Sequence, residues 1–354
     1  MSQAWSGPKR RVCVAVGALS VVLVLAVVGC GSSDGVDSTD DTMAEATKVD
    51  KLTLVAPPGP MAIPMAYLVV NDRLTDVAEE VELVIWENGD QLKAMVAGGQ
   101  GDFVTVPSNN AATFYNKGVQ IQLLDISVWN ITYLVSSDPD VASFTDIQGQ
   151  SLVVSLQGSV PDVMFQYLAA AEGLDPETDF DLRYATDPTQ AAQSLLSGQV
   201  QNAVLSEALA TKVLQRSEGG EIPLYRAFAF DVAWAGATGG SAGGEAATPI
   251  AGVVATASIL DQPEVIAAFE REYAAAVEWL VANPDQAGQL VEDELPQLGL
   301  EAAVMTASLQ NIMWEHKTAA EAKDSLAAFY GELLDLAPEV VGGMLPDDGF
   351  YYAP

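Results

Sequence analysis

Residues 52–70 read LTLVAPPGPMAIPMAYLVV. Leu52–Val55 is a short apolar run with a β-branched character, and its length predicts a buried strand rather than a helix. Ala56-Pro57-Pro58-Gly59-Pro60 then breaks any ladder, because proline fixes φ and has no N–H to donate. Met61–Val70 resumes as a helix-like apolar segment. A strand that ends in a rigid turn and feeds a helix is the first half of a βα unit. In open α/β sheets, ligands lie beyond the carboxyl ends of the strands, so the Pro57–Met61 turn is a candidate wall of a binding site.

Upstream, Lys9, Arg10 and Arg11 precede the uncharged apolar run Val12–Val28, the outline of a signal peptide over residues 1–29. The run ends in Ala26-Val27-Val28-Gly29-Cys30, which resembles a bacterial lipobox and marks Cys30 as the lipidated first residue of the mature chain. Residues 30–50 are polar, acidic and nearly free of large apolar side chains, so they predict a disordered tether that stands a folded domain off a membrane. The expected location is extracytoplasmic, on a membrane face.

Composition removes several chemistries. The chain has two cysteines, Cys13 and Cys30, and one histidine, His316. Once the leader is gone and Cys30 is acylated, no thiol is left as nucleophile, disulfide partner or metal ligand. Net charge is −33; without the three leader cations it becomes −36, with 12 basic residues against 48 acidic. Such a surface repels nucleic acid. Residues 51–354 exceed one ordinary core, so two lobes are expected.

The rest of the chain alternates strands and helices. Val81–Trp86 alternates like a strand, and Gln91–Ala97 predicts a helix stopped by Gly98-Gly99. Phe103–Val106 predicts a strand ended by Pro107, and Ser108, Asn109 and Asn110 are N-cap candidates for a helix to Asn116. Ile121–Trp129 is the next apolar run. The order predicts a parallel sheet covered by helices. Ser151–Ser155, Phe180–Tyr184 and Val200–Leu205 repeat the pattern, with helices over about 160–172 and 187–196. Residues 235–249 are rich in glycine but hold no phosphate-loop motif, so they predict a flexible insertion. Ile250–Ala255 predicts a strand returning to the first lobe. Four helices follow, over 262–282, 284–293, 301–314 and 318–334, with His316, beside Trp314 and Glu315, expected on a late helix as a surface or structural residue, and the tail aromatics predict a pinned C-terminus.

The lipobox, the βα opening, the Gly101-Asp102-Phe103-Val104 strand and its later repeat resemble solute-binding proteins of ABC transporters, in particular the nitrate, sulfonate, taurine and thiamine-pyrimidine group. Phe144–Gly149 is similar to that group's D-L-K-G turn. Val200–Leu205 is similar to its G-x-V-D-A strand, with Asn202 for the aspartate. Ser206-Glu207-Ala208 stands where the group often has Glu-Pro. The resemblance covers residues 52–354. It implies an α/β, two-lobed periplasmic-binding-protein fold (type II), each lobe a mainly parallel sheet with flanking helices and a ligand cleft between them. Lobe 1 would comprise 51–131 and 246–354, and lobe 2 would comprise 132–245. It further implies a monomer that captures a small molecule without a cofactor and delivers it to permease and ATPase subunits. Some thiamine-pyrimidine relatives are synthases that use cysteines and a histidine of the chain, a set this mature domain lacks.

Candidate ligand residues lie just past the strand ends: Pro60, Met61, Ser108, Asn109, Asn110, Trp129, Gly158, Ser159, Glu207, Asp231 and Trp234. None of these loops carries lysine or arginine. Helix starts at Ser108–Asn110 and Gly158–Val160 offer N–H groups, but without a guanidinium clamp a strongly anionic ligand is disfavoured. Trp129 and Trp234 would sandwich a planar ring, and Glu207 or Asp231 would accept from its amino groups. The expected ligand is a neutral or weakly cationic nitrogen heterocycle, such as a thiamine-pyrimidine precursor. The alternative is a small oxyanion or sulfonate.

Overall fold

A computed structural model of the chain describes residues 48–86, 88–239 and 248–354. Residues 30–47 of the expected tether, the lipidation candidate Cys30 among them, and most of the glycine-rich insertion lie outside the described residues, while Val49 and Asp50, expected in the tether, open the first strand. In chain order the first elements are β1 (Val49–Ala56), α1 (Ile63–Val70), β2 (Ala78–Ile85), α2 (Gly89–Ala97), β3 (Phe103–Pro107), α3 (Ser108–Asn116) and β4 (Ile121–Asn130). After them come β5 (Thr132–Ser136), β6 (Ser151–Ser155), α4 (Val160–Ala171), β7 (Asp181–Ala185), α5 (Pro188–Leu196), β8 (Asn202–Ser206), α6 (Leu209–Ser217), β9 (Tyr225–Ala229) and α7 (Phe230–Thr238). The last are β10 (Ala251–Thr256), α8 (Pro263–Ala282), α9 (Pro284–Glu294), α10 (Ala302–Leu309), β11 (Met313–Thr318) and α11 (Ala319–Leu336).

The strands form two sheets, ordered β11-β4-β10-β3-β1-β2 and β7-β6-β8-β5-β9. In the first, β1 runs parallel to both β2 and β3, as the βα pattern requires. β4 runs in the same direction as β1 to β3, so the sheet is mainly parallel as expected, and two strands, β10 and β11, run against it. β10 returns from the second sheet and inserts between β3 and β4, antiparallel to both. Gly252 makes this possible: a Cβ there would lie 1.8 Å from the Asp125 carbonyl oxygen. The second sheet is likewise mixed, with β6 parallel to β7 and β8, and β5 antiparallel to β8 and β9.

A second correction concerns residues 310–318. The helix expected over 301–314 stops at Leu309, where Asn311 turns back to Ser308 and Ala307. The aromatic and β-branched stretch after it forms β11, which pairs antiparallel with β4. His316 is therefore on a strand and not on a late helix.

Three apolar clusters fill the molecule. One face of the first sheet, with Leu52, Leu54, Phe103 and Val253, packs on Ile63 and Leu68 of α1 and on Ile266, Phe269 and Tyr273 of α8. The opposite face packs on α2, α3 and α11 and continues through Trp129 into Leu134, Phe144 and Phe165 of the second-sheet region. The far side of the second sheet, with Val135, Val153 and Leu205, packs on α5 and α6. Leu134 and Val135 face opposite clusters because successive strand side chains point to opposite faces. The C-terminus is pinned as its aromatics suggest: Phe350 is buried against Tyr115, and the Tyr352 N–H donates to the Leu123 carbonyl.

Candidate functional site

The opening turn is a shape-setting element. Gly59 takes φ +133°, a conformation that a side chain would strain, and swings the chain into a short 3-10 helix, Pro60–Ala62. Pro60 is buried, and Met61 is half-buried against the α1–α8 core. α10 packs against this short helix from the other side.

The two expected helix-start cradles are filled by the protein itself. Ser108 is the first helical residue of α3, and the N-cap position is Pro107 rather than a polar side chain. Its Oγ donates to the Pro249 carbonyl, its N–H to the Ile250 carbonyl, and its own carbonyl accepts from the Tyr330 hydroxyl. Asn109 Nδ2 donates to Asn110 Oδ1 and to the Val340 carbonyl, which ties α3 to the C-terminal segment. At α4, Ser159 Oγ donates to the Ser155 carbonyl rather than capping the helix. The fully buried Asp162, in the first turn of α4, folds back on the preceding loop: its Oδ2 accepts from the Gly158 N–H at 2.7 Å and its Oδ1 from the Tyr184 hydroxyl, and no side chain caps the helix. A carboxylate of the chain thus sits where an anionic ligand would bind. Its signal, an aspartate three residues after Ser159, stands in the sequence.

The tryptophan sandwich is corrected. Trp129 is 1% exposed and Trp234 2%, so neither keeps a face for a ligand. Trp129 Nε1 donates to the Glu315 carbonyl, and Lys317 stands 4.5 Å from its ring centroid. Trp234 packs between Tyr167 and Phe329, at centroid distances of 4.6 and 5.2 Å. Both follow apolar alternation, which marks buried positions without saying what buries them.

The strand-end residues that do meet lie at the carboxyl ends of β8 and β9. Glu207 is buried, and its carboxylate accepts from Thr211 Oγ1 at 2.7 Å and from Arg226 Nη2. The Arg226 Nη2 also donates to Thr211 Oγ1 at 3.0 Å, and the guanidinium lies 4.8 Å from the Tyr133 ring centroid. Asp231, in the first turn of α7, is buried with Oδ1 left without a hydrogen-bond partner, and burial raises its carboxyl above the ordinary range. Burial first, then the charge of Glu207, pushes the Tyr133 phenol up to about 12. The Tyr133 hydroxyl donates to the Asn311 carbonyl, joining the second sheet to the segment before β11. Arg226 corrects the expectation that no guanidinium approaches this region. It escaped notice because it precedes the apolar run at Phe228 and belongs to the same strand.

A hollow of about 300 Å³ lies elsewhere, between α4 and α7, lined by Leu168, Ala171, Glu172, Phe228, Val232 and Ala233. It touches none of the strand-end residues. No group of three or more His, Cys, Asp or Glu side chains able to hold a metal occurs among the described residues.

No family model and no curated protein matches the chain. Solved structures do. An ABC transporter protein from Parabacteroides distasonis is 24% identical, with a TM-score of 0.73 over 87% of this chain and 99% of that one. The chain has the two-lobed α/β fold of type II periplasmic binding proteins. The periplasmic aliphatic sulphonate binding protein SsuA from Escherichia coli is 14% identical, with a TM-score of 0.62 over 83% of this chain and 96% of that one. The periplasmic nitrate-binding protein NrtA from Synechocystis PCC 6803 is 13% identical, with a TM-score of 0.61 over 82% and 83% of the two chains. At these identities what is shared is the fold.

Proposed function

We propose that this chain is the extracytoplasmic solute-binding component of an ABC importer. It captures a small planar nitrogen heterocycle, neutral or weakly cationic, by lobe closure and delivers it to a permease. Its role is binding, without catalysis or a cofactor. The observation that carries the ligand class is the charge balance at the ends of β8 and β9. Arg226 is already neutralised by Glu207, and Asp231 adds a second carboxyl with an unused acceptor. Asp162 occupies the α4 helix start. Acceptors therefore outnumber free cations where a solute would dock, which suits amino groups better than oxyanions.

A second reading, a sulfonate or small oxyanion, is favoured by the named ligands of SsuA and NrtA. It would require Arg226 to exchange Glu207 for the solute. A thermal-shift panel separates the two. A ligand at a hundredfold excess over its Kd stabilises by about 2.7 kcal/mol, a shift of several degrees. Aminopyrimidines are expected to produce that shift. A shift from sulfonates or nitrate alone would select the second reading, and silence from the whole panel would count against solute capture.

Membrane attachment through Cys30 belongs to the same proposal, with the polar segment 31–47 as tether. Cys30→Ala is expected to move the protein from the membrane fraction to the soluble one, since two or three acyl chains hold a protein firmly. Retention of the variant on membranes would instead indicate an uncleaved apolar anchor.

A further inference from the structure

Asp125 lies on β4, fully buried, and neither of its carboxyl oxygens has a hydrogen-bond partner. Thr105 Oγ1 on β3, across β10 from Asp125, is also buried and unpartnered. Ser127 stands two residues along β4, but its hydroxyl is 3.2 Å from that of Tyr273 on α8. The pairing of β4 with β10 shifts register just here, between Val253 and Val254, which is the mark of a bulge. The nearest charge that acts on Asp125 is another carboxyl, Glu270, one turn before Tyr273 on α8. No cation offsets the pair. The two arginines beside this part of α8, Arg73 and Arg271, both bind Glu272.

An ionised carboxylate in such a place is an uncompensated buried charge, and proteins avoid that state by keeping the proton. We propose that the buried, unpartnered Asp125 keeps its proton in the folded protein at neutral pH, so that acid tightens the packing of α8 on β4. The proposal is independent of which solute is bound. Burial first, then Glu270, holds the Asp125 carboxyl well above the carboxylate range, and burial pushes Glu270 up to about 7. The other ionisable groups facing these two carboxyls are Tyr273 on α8 and Tyr352 in the tail, both raised by burial. His316 on β11 faces Tyr273, with Glu278 and Glu321 nearby, and burial holds it below its ordinary range.

The signs are opposite for the two kinds of group. Where the fold keeps a carboxyl proton that the unfolded chain has lost, stability falls as pH rises, from the ordinary carboxylate range up through about 7 for Glu270. His316 works the other way, because below its ordinary range the unfolded chain takes up a proton that the fold refuses; His316→Gln removes that contribution.

The test is urea unfolding from pH 4 to pH 8 on the wild type, Asp125→Asn, Glu270→Gln and the double variant, together with the infrared carbonyl band of a protonated carboxyl at pH 7. The wild-type folding constant is expected to fall by up to about tenfold per pH unit for each retained proton. Asp125→Asn should flatten that slope, Glu270→Gln should flatten its upper part, and the infrared band should weaken in Asp125→Asn and be lost in the double variant. An absent band in the wild type, or unchanged slopes in the variants, would overturn the proposal. So would stabilisation of the wild type at pH 7 by sodium or potassium that vanishes in Asp125→Asn, since a cation would then hold Asp125 ionised. If Asp125→Asn fails to fold, the wild-type band and the Glu270→Gln slope still decide.

Discussion

Arg226→Met is expected to lower the stability of the domain by about 3 to 5 kcal/mol, measured as the free energy of urea unfolding. The reason is the partner left behind. The Glu207 side chain is wholly shielded from solvent, and its two oxygens depend on Arg226 and Thr211. Thr211 supplies one hydroxyl donor, which does not compensate a full charge. The guanidinium lies over the Tyr133 ring, so methionine, which keeps the length of the stem, removes the charge and its ring contact together. Glu207→Met together with Arg226→Met should recover most of the stability, because replacing both members of a buried pair with apolar groups is often near neutral. If the single variant loses less than about 1 kcal/mol, the pair is solvated as a surface ion pair is, and its place in a closed polar cluster is wrong.

Gly252→Ala is expected to cost about 3 kcal/mol or more, at the upper end of what overpacking does. A Cβ at this position would lie 1.8 Å from the Asp125 oxygen, 2.7 Å from its carbonyl carbon and 2.9 Å from the Ile126 Cα. All three are backbone atoms of β4, so no side chain can rotate away. β10 sits between β3 and β4, and relief would have to pull it away from both neighbours. Gly236→Ala is the control. It lies exposed on α7, where a Cβ meets nothing within 4 Å, and alanine is favoured over glycine in a helix by about 1 kcal/mol. Equal effects of the two substitutions would contradict the placement of β10.

Both predictions fall where sequence reading runs out. β1, β3 and β6 are legible because each is a short apolar run cut off by proline, glycine or a polar turn, a local signal. The position of β10 is not local: nothing in Ala251–Thr256 says that it enters between two strands more than a hundred residues earlier. β11 was hidden because Glu301–Trp314 carries apolar residues at a spacing that suits a helix as well as a helix, turn and strand. The two-lobed fold followed from the order of elements. The site is less legible. Trp129 and Trp234 have the chemistry of ring-stacking residues, but burial, which no spacing reveals, turns them to core packing. Glu207 and Asp231 both lie just past strand ends, while the partner of Glu207, Arg226, sits within β9, a strand that no apolar run announces.

The central claim is that the strand-end cluster captures a small nitrogen heterocycle. Calorimetric titration of the purified chain and of Asp231→Asn with an aminopyrimidine tests it directly. Asp231 is the member whose acceptor is unused, so its loss removes a ligand contact without leaving a charge unpaired. The account predicts one-to-one binding to the wild type, weakened about tenfold or more in the variant, the worth of one hydrogen bond to a charged group. Equal affinity in both proteins, or heat only from sulfonates or nitrate, would contradict it.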